Sequence, residues 1–129
     1  MEELLKPGER INQLFSTDIK IIQNREVFSY SVDSVLLSRF PRFPKNGLIV
    51  DFCAGNGAVG LFASSRTKAK ILSVEIQERL ADMAERSVRL NGLDGQMQVI
   101  CDDLKNMPSH IQGSKVDLIL CNPPYFKVD

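Results

Sequence analysis

The stretch that decides the fold is Leu48-Ile49-Val50-Asp51-Phe52-Cys53-Ala54-Gly55-Asn56-Gly57, with Gly60 three residues further on. Five apolar-rich residues carrying one acid read as a buried strand, and the small residues from Ala58 to Arg66 read as a short helix. Between them Gly55, Gly57 and Gly60 form a GxGxxG pattern, in which glycine lets the backbone turn sharply and approach a ligand closely. The motif is informative because it sits where it must, after a strand and before a helix.

Outward from this loop, strand and helix alternate. Lys70-Ile71-Leu72-Ser73-Val74-Glu75 is a second strand, and Gln77 to Asn91 is the clearest helix. Its apolar face is Ile76, Leu80, Met83, Ala84, Ser87 and Val88, with Glu78, Arg79, Asp82, Glu85, Arg86 and Arg89 opposite. Asn91-Gly92 ends it, because glycine accepts the left-handed conformation at little cost. Gln96 to Cys101 and Val116 to Cys121 are a third and a fourth strand. Upstream, Ile19–Ile22 and Val27–Tyr30 flank the polar Gln23-Asn24-Arg25-Glu26, which predicts a hairpin. Ser31 then caps a helix carrying Val32, Val35, Leu36, Leu37 and Phe40, stopped by Pro41. The expected architecture is α/β and Rossmann-like: a parallel sheet flanked by helices, preceded by a hairpin and a helix. Residues 1–45 form the N-terminal hairpin and helix segment, and residues 46–129 the front half of the sheet domain. A doubly wound sheet normally continues beyond a fourth strand, so the sequence reads as the front part of a longer protein, and a missing C-terminal half or a partner chain is expected to complete it.

The composition bounds the function. The 129 residues suit one domain, with 43% hydrophobic and 25% charged residues. Sixteen basic residues balance sixteen acidic ones, which excludes a strongly basic nucleic-acid clamp. Basic residues cluster locally at Arg39, Arg42 and Lys45 and at Arg66, Lys68 and Lys70, each read as a solvated face. No apolar run approaches the roughly 18 residues of a membrane helix, and the charged N-terminus shows no signal peptide. Cys53, Cys101 and Cys121 are odd in number and have no CxxC spacing. They read as small buried thiols in a reducing cytoplasm, and no metal site is expected. His110, the only histidine, reads as a surface residue with no catalytic partner in view.

Ligands of such sheets bind at the carboxyl ends of the strands. There the sequence places the loop after Asp51, Glu75, Asp102-Asp103 and Asn122–Tyr125. Glu75, twenty residues after Gly55, can accept two hydrogen bonds from a ribose diol. That fits a nicotinamide dehydrogenase as well as an enzyme using an adenosyl cofactor. Asp51 favours the second, since a carboxylate there would repel a pyrophosphate but could hold a cationic amino-acid group, directly or through water. Asp102 or Asp103 could accept a hydrogen bond from an adenine amine; Asp103 is favoured, with Asp102 capping or solvated, and a purely solvated pair is the plain alternative.

Asn122-Pro123-Pro124-Tyr125 is the most informative tetrapeptide. Two prolines stiffen the turn and remove two backbone donors. The Asn122 side-chain oxygen and the Pro123 carbonyl can then both accept from one planar NH2 group, while Tyr125 offers a face for stacking. Two acceptors on a delocalised amine favour a more tetrahedral nitrogen and stabilise the positive charge that grows as it attacks a methyl group. The remaining work is alignment of nitrogen, methyl and sulfur.

With these residues the sequence resembles the class I S-adenosyl-L-methionine-dependent methyltransferases that act on amino nitrogens, through Asp51-x-x-x-Gly55-x-Gly57 and the Asn122–Tyr125 tetrapeptide. Within that class, Ile21–Asn24 and Phe28–Leu37 are similar to the bacterial tRNA (adenine-N6)-methyltransferases that modify valine tRNA beside the anticodon. The resemblance implies an N-terminal segment closing over S-adenosyl-L-methionine, with Phe28 and Tyr30 walling the pocket and Asp33 near it. A plain helix-start carboxylate is an equal reading of Asp33. It also implies that Glu75 binds ribose, Asp103 binds adenine, and Asn122 and Tyr125 handle a target base in tRNA. The competing expectations are methyl transfer to a protein glutamine or to DNA amino groups, an inactive cofactor- or RNA-binding half-domain, and a nicotinamide dehydrogenase.

Overall fold

The computed structural model describes residues 4–14, 17–24, 42–111 and 113–121. The elements are β1 (Glu9–Gln13), β2 (Lys20–Asn24), β3 (Leu48–Phe52), α1 (Ala58–Ser64), β4 (Lys70–Glu75), α2 (Glu78–Leu90), β5 (Met97–Cys101), a 3-10 turn (Leu104–Asn106), α3 (Met107–Ile111) and β6 (Leu118–Cys121). The last four strands form a parallel sheet in the order β5-β4-β3-β6. The chain therefore walks outward from β3 through β4 to β5 and then returns to the other side of β3. That reversal lies between β3 and β6, where a doubly wound sheet opens its ligand crevice.

The sheet is packed on both faces. Ile49, Ile71 and Met97 lie on one face, under α1 and α2, in a core that includes Leu61, Phe62 and Val88. Val50, Leu72 and Val74 lie on the other, with Met107 and Ile111 of α3. The two faces alternate along each strand as the pleat requires. Gly60 sets how closely α1 approaches: a Cβ there would come within 2.8 Å of both Ser73 Oγ and Met97 Cε. Gly57, at φ +92°, begins α1 in a conformation that side chains resist.

The parallel strands and both longer helices lie where the hydrophobic patterning puts them. An N-terminal antiparallel hairpin is present as expected, but its strands differ. β2 pairs antiparallel with β1, upstream, in the register Ile11↔Ile22, and Gln23 and Asn24 belong to the strand rather than to a turn. The signal for β1 is weak because Glu9-Arg10-Ile11-Asn12-Gln13 has one apolar residue in five. The expected partner strand Val27–Tyr30 and the expected helix after Ser31 lie outside the described residues.

Helix α2 explains how the hairpin is held. Ser87 Oγ accepts from the Ile22 amide at 2.9 Å. Asn91 accepts from the Lys20 amide at 2.8 Å and donates to the Lys20 carbonyl at 2.6 Å. These side chains act as an extra strand edge for β2. On the same helix Arg86, placed by the sequence on the charged side opposite the apolar face, is 5% exposed. Its guanidinium meets both Glu9 carboxylate oxygens, Nη2 at 2.7 Å from Oε2, together with Asp82 and the Leu4 carbonyl. The periodicity of α2 alone cannot reveal this, because the covering layer comes from the far N-terminus. Ile76, assigned to the apolar face, instead precedes the helix and is 61% exposed.

The cysteines also differ from expectation. Cys53 is half-buried, and Cys101 and Cys121 are exposed. Each follows or ends a strand at its carboxyl edge, and among the described residues β5 and β6 are the outer strands of the sheet.

Candidate cofactor site at the carboxyl edge of the sheet

The loop after β3 is built by backbone and by one acid. The Ala54 amide donates to the Val74 carbonyl at 2.9 Å, which ties the loop to β4. Glu75, 6% exposed at the end of β4, then accepts from the Gly55 amide through Oε1 at 2.8 Å and from the Gln77 amide through Oε2 at 2.9 Å. One carboxylate thus fixes both the glycine loop and the entry to α2. An ionised carboxylate has about four acceptor sites, so two remain for an incoming diol.

Asp51 is the unusual group. It pairs in register with Ser73 and is 1% exposed. Neither carboxylate oxygen has a partner in full hydrogen-bond geometry, the Gly60 amide being a nearby but imperfect donor. Burial, reinforced by the nearby Glu75 charge and only partly offset by the Gly60 amide, pushes its pKa from 3.8 to about 8. The other buried side-chain atoms without partners among the described residues are Ser73 Oγ and Asn56 Oδ1. Ser73 neighbours Asp51 on β4, and Asn56 belongs to the glycine loop, its Nδ2 lying 3.4 Å from the Ile22 carbonyl. Unsatisfied buried polar atoms are costly and few in native proteins. Here they gather around one loop.

At the end of β5 both acids are tied into the following turn, and the cap of the 3-10 turn is Asp103 rather than Asp102. Asp102 Oδ1 accepts from the Asp103 amide and from Asn106, both at 2.7 Å, and Oδ2 lies 2.8 Å from His110 Nε2. Hydrogen bonds from His110 and then Asn106 hold the Asp102 pKa down at about 2. His110 is at the surface as expected, and Asp102 is the partner that sequence spacing left unseen. Asp103 caps the 3-10 turn through Oδ1, which accepts from the Lys105 amide at 3.1 Å.

The structure therefore brings Asp51, Gly55, Gly57 and Glu75 together, with Asp103 on the same edge one strand beyond Glu75. Phe28, Tyr30, Asp33, Asn122, Pro123 and Tyr125 lie outside the described residues. Two residues on this edge were not among the predicted site residues. Ile76 and Leu104 are, with Ile119, the large apolar side chains exposed among the described residues, and each directly follows a site acid, Glu75 or Asp103. An apolar residue after an edge carboxylate was the available signal. Among the described residues no group of three or more His, Cys, Asp or Glu side chains could hold a metal ion, and no helix is long and apolar enough to cross a membrane.

Residues 18–128 match the methyltransferase small domain. The chain belongs to that family. Among curated members it is 31% identical over 96 residues to a tRNA1(Val) (adenine(37)-N6)-methyltransferase of Shewanella halifaxensis, covering 74% of this chain and 39% of that protein. A Bacteroides fragilis protein of the same name is 29% identical over 94 residues, covering 73% and 40%. Among solved structures, a SAM-dependent methyltransferase from Agrobacterium tumefaciens superposes with a TM-score of 0.65 at 18% identity, over 93% of this chain and 41% of that one. The fold is that of the class I methyltransferases. The chain spans about 40% of the length of the relatives it matches.

Proposed function

We propose that this family member is the cofactor-binding portion of an S-adenosyl-L-methionine-dependent N-methyltransferase whose target is the N6 amine of an adenine in tRNA, in valine tRNA near the anticodon. The observation that carries the cofactor reading is the cluster of unpartnered buried polar atoms on Asp51, Ser73 and Asn56, beside a carboxylate that still has acceptor sites free. A molecule with a cationic amino-acid end and a ribose meets both needs: its ammonium group answers Asp51, and its diol answers Glu75. A dinucleotide's pyrophosphate brings no positive charge to answer Asp51, which disfavours it. In this reading Asp103 accepts from the adenine amine, and Ile76 and Leu104 supply apolar surface for its ring. S-adenosyl-L-methionine would supply an electrophilic methyl group on sulfur.

The tRNA assignment is supported by the names of the relatives and by the Asn122–Tyr125 tetrapeptide. Asn122 and the Pro123 carbonyl accept hydrogens from the target amine, and Tyr125 stacks against its ring. Phe28, Tyr30 and Asp33, within the N-terminal segment 1–45, close over the methionine end. The place of action is the cytoplasm, where tRNA is met, and segments beyond this chain, or a partner, complete the substrate surface.

The test has two stages. Calorimetry should show S-adenosyl-L-methionine binding and no binding of a nicotinamide dinucleotide; the reverse would reject the cofactor reading. Methyl transfer is then compared on unmodified tRNA, DNA and a glutamine-bearing protein. Labelling of tRNA supports the proposal, and labelling of another substrate with tRNA inert rejects it.

A further inference from the structure

Cys53 and Cys121 have no part in the chemistry above, yet the topology brings them together. β3 pairs with β6 in the register Phe52↔Cys121, so Cys53 is one residue beyond the residue facing Cys121. With strands about 4.8 Å apart and about 3.3 Å of rise per residue, their Cα atoms are roughly 6 Å apart, inside the range a disulfide spans. A regular strand would turn Cys53 to the opposite sheet face. Its φ of +58°, the one positive value at a non-glycine among the described residues, breaks that alternation. The Cys121 thiol consequently lies near enough to Cys53 to contribute to its raised pKa. Cys101 ends β5, three strand positions from β6, or about 14 Å, which is too far to bridge.

We propose that Cys53 and Cys121 form a reversible disulfide under hydroperoxide, closing a covalent link across the crevice between β3 and β6. Cys121 is exposed and receives the oxidant. Its thiolate sulfur attacks the O–O bond of the hydroperoxide, giving a sulfenic acid and releasing the other oxygen as alcohol or, from hydrogen peroxide, water. The Cys53 sulfur then attacks the sulfenic sulfur. The S–S bond forms, the S–O bond breaks, and the departing hydroxide leaves as water with the Cys53 proton. Burial, and then the neighbouring Cys121, raise the Cys53 thiol above its usual range, which suits it to the second step rather than the first. The bond pins the residue that opens the glycine loop to the last residue before Asn122, so oxidation restrains both sides of the crevice.

The experiment treats the full chain with hydrogen peroxide, alkylates under denaturing conditions and reads intact and peptide mass. One intramolecular disulfide joining residues 53 and 121, one alkylated thiol at Cys101, and full reversal by a thiol reductant are expected. The Cys101→Ser variant should respond identically, and Cys121→Ser should form no intramolecular bond. Three alkylated thiols, a bond to Cys101, or only intermolecular dimers would overturn the proposal. Its consequence for cofactor binding rests on the function proposed above: oxidation should weaken S-adenosyl-L-methionine at least fivefold, reversibly. An unchanged affinity with the bond formed would overturn that consequence alone, whereas absent binding in the reduced chain would count against the cofactor reading and leave the thiol chemistry standing.

Discussion

Replacing Asp51 by asparagine separates the strain in the free site from its use. In the unfolded chain Asp51 ionises near 3.8, and in the folded chain near 8. Between these values the folded state holds one more proton than the unfolded state. Stability from this group is therefore greatest below pH 4, falls by about 1.4 kcal/mol per pH unit as pH rises, and levels off above pH 8. The full span corresponds to about 6 kcal/mol as an upper bound, a large share of the stability of a small domain. Asp51→Asn is nearly isosteric and does not titrate. Urea unfolding from pH 5 to pH 9 should show wild-type stability declining relative to the variant, whose profile is flat by comparison. Taking the slope rather than the absolute stability removes the cost of the amide itself. If the ammonium group of the cofactor answers the ionised form, wild-type affinity should also rise close to tenfold from pH 6 to pH 7, with about one proton released on binding, and the variant should show neither. Parallel stability profiles for the two proteins would mean that Asp51 is already ionised when folded, and the reasoning would fail.

Three further outcomes are expected. Gly60→Ala puts a methyl group within 2.8 Å of Ser73 Oγ and Met97 Cε. Even after the gain in helix propensity it should cost about 1–2 kcal/mol in urea unfolding, and an unchanged midpoint would show that α1 does not need this close approach. Arg86→Met strands the Glu9 carboxylate, whose side chain is 3% exposed; it should cost about 3–5 kcal/mol, with most of that recovered in the Arg86→Met/Glu9→Met double variant. Because the hydrogen bond from Arg86 lowers the Glu9 pKa, the wild-type pair contributes fully above about pH 4.5 and loses its contribution as pH falls further, an acid-side slope that both variants should lack. Finally, Glu75→Ala should weaken cofactor affinity, whereas Asn122→Ala should spare it and slow methyl transfer by roughly 3 kcal/mol, by analogy with loss of one charge-stabilising group; loss of cofactor binding in both would reject the division of roles.

What local pattern determines was legible in the sequence. The strands Leu48–Phe52 and Lys70–Glu75 have the bounds that hydrophobic runs predict, and α2 is within one residue of its expected ends. Strand–loop–helix order places Asp51, the glycines and Glu75 on one edge, because successive parallel strands all point their carboxyl ends the same way. The sequence spacing of Gly55 and Glu75 does not show that Glu75 grips the Gly55 amide, but it does put the two within reach.

Tertiary structure alone decided the rest, and in each case the cause is a neighbour distant in sequence. Arg86 becomes a buried ion because β1, 77 residues upstream, lies over it. The hairpin is Glu9–Asn24 because Ser87 and Asn91 of α2 offer hydrogen bonds to the far edge of β2, which no reading of residues 9–24 in isolation can find. The cysteines are exposed or paired according to which strands end up at the sheet margin. The raised pKa of Asp51 follows from its complete burial beside the Glu75 charge. Periodicity reports which face a residue takes within its own element; burial and protonation depend on what the rest of the chain lays upon that face.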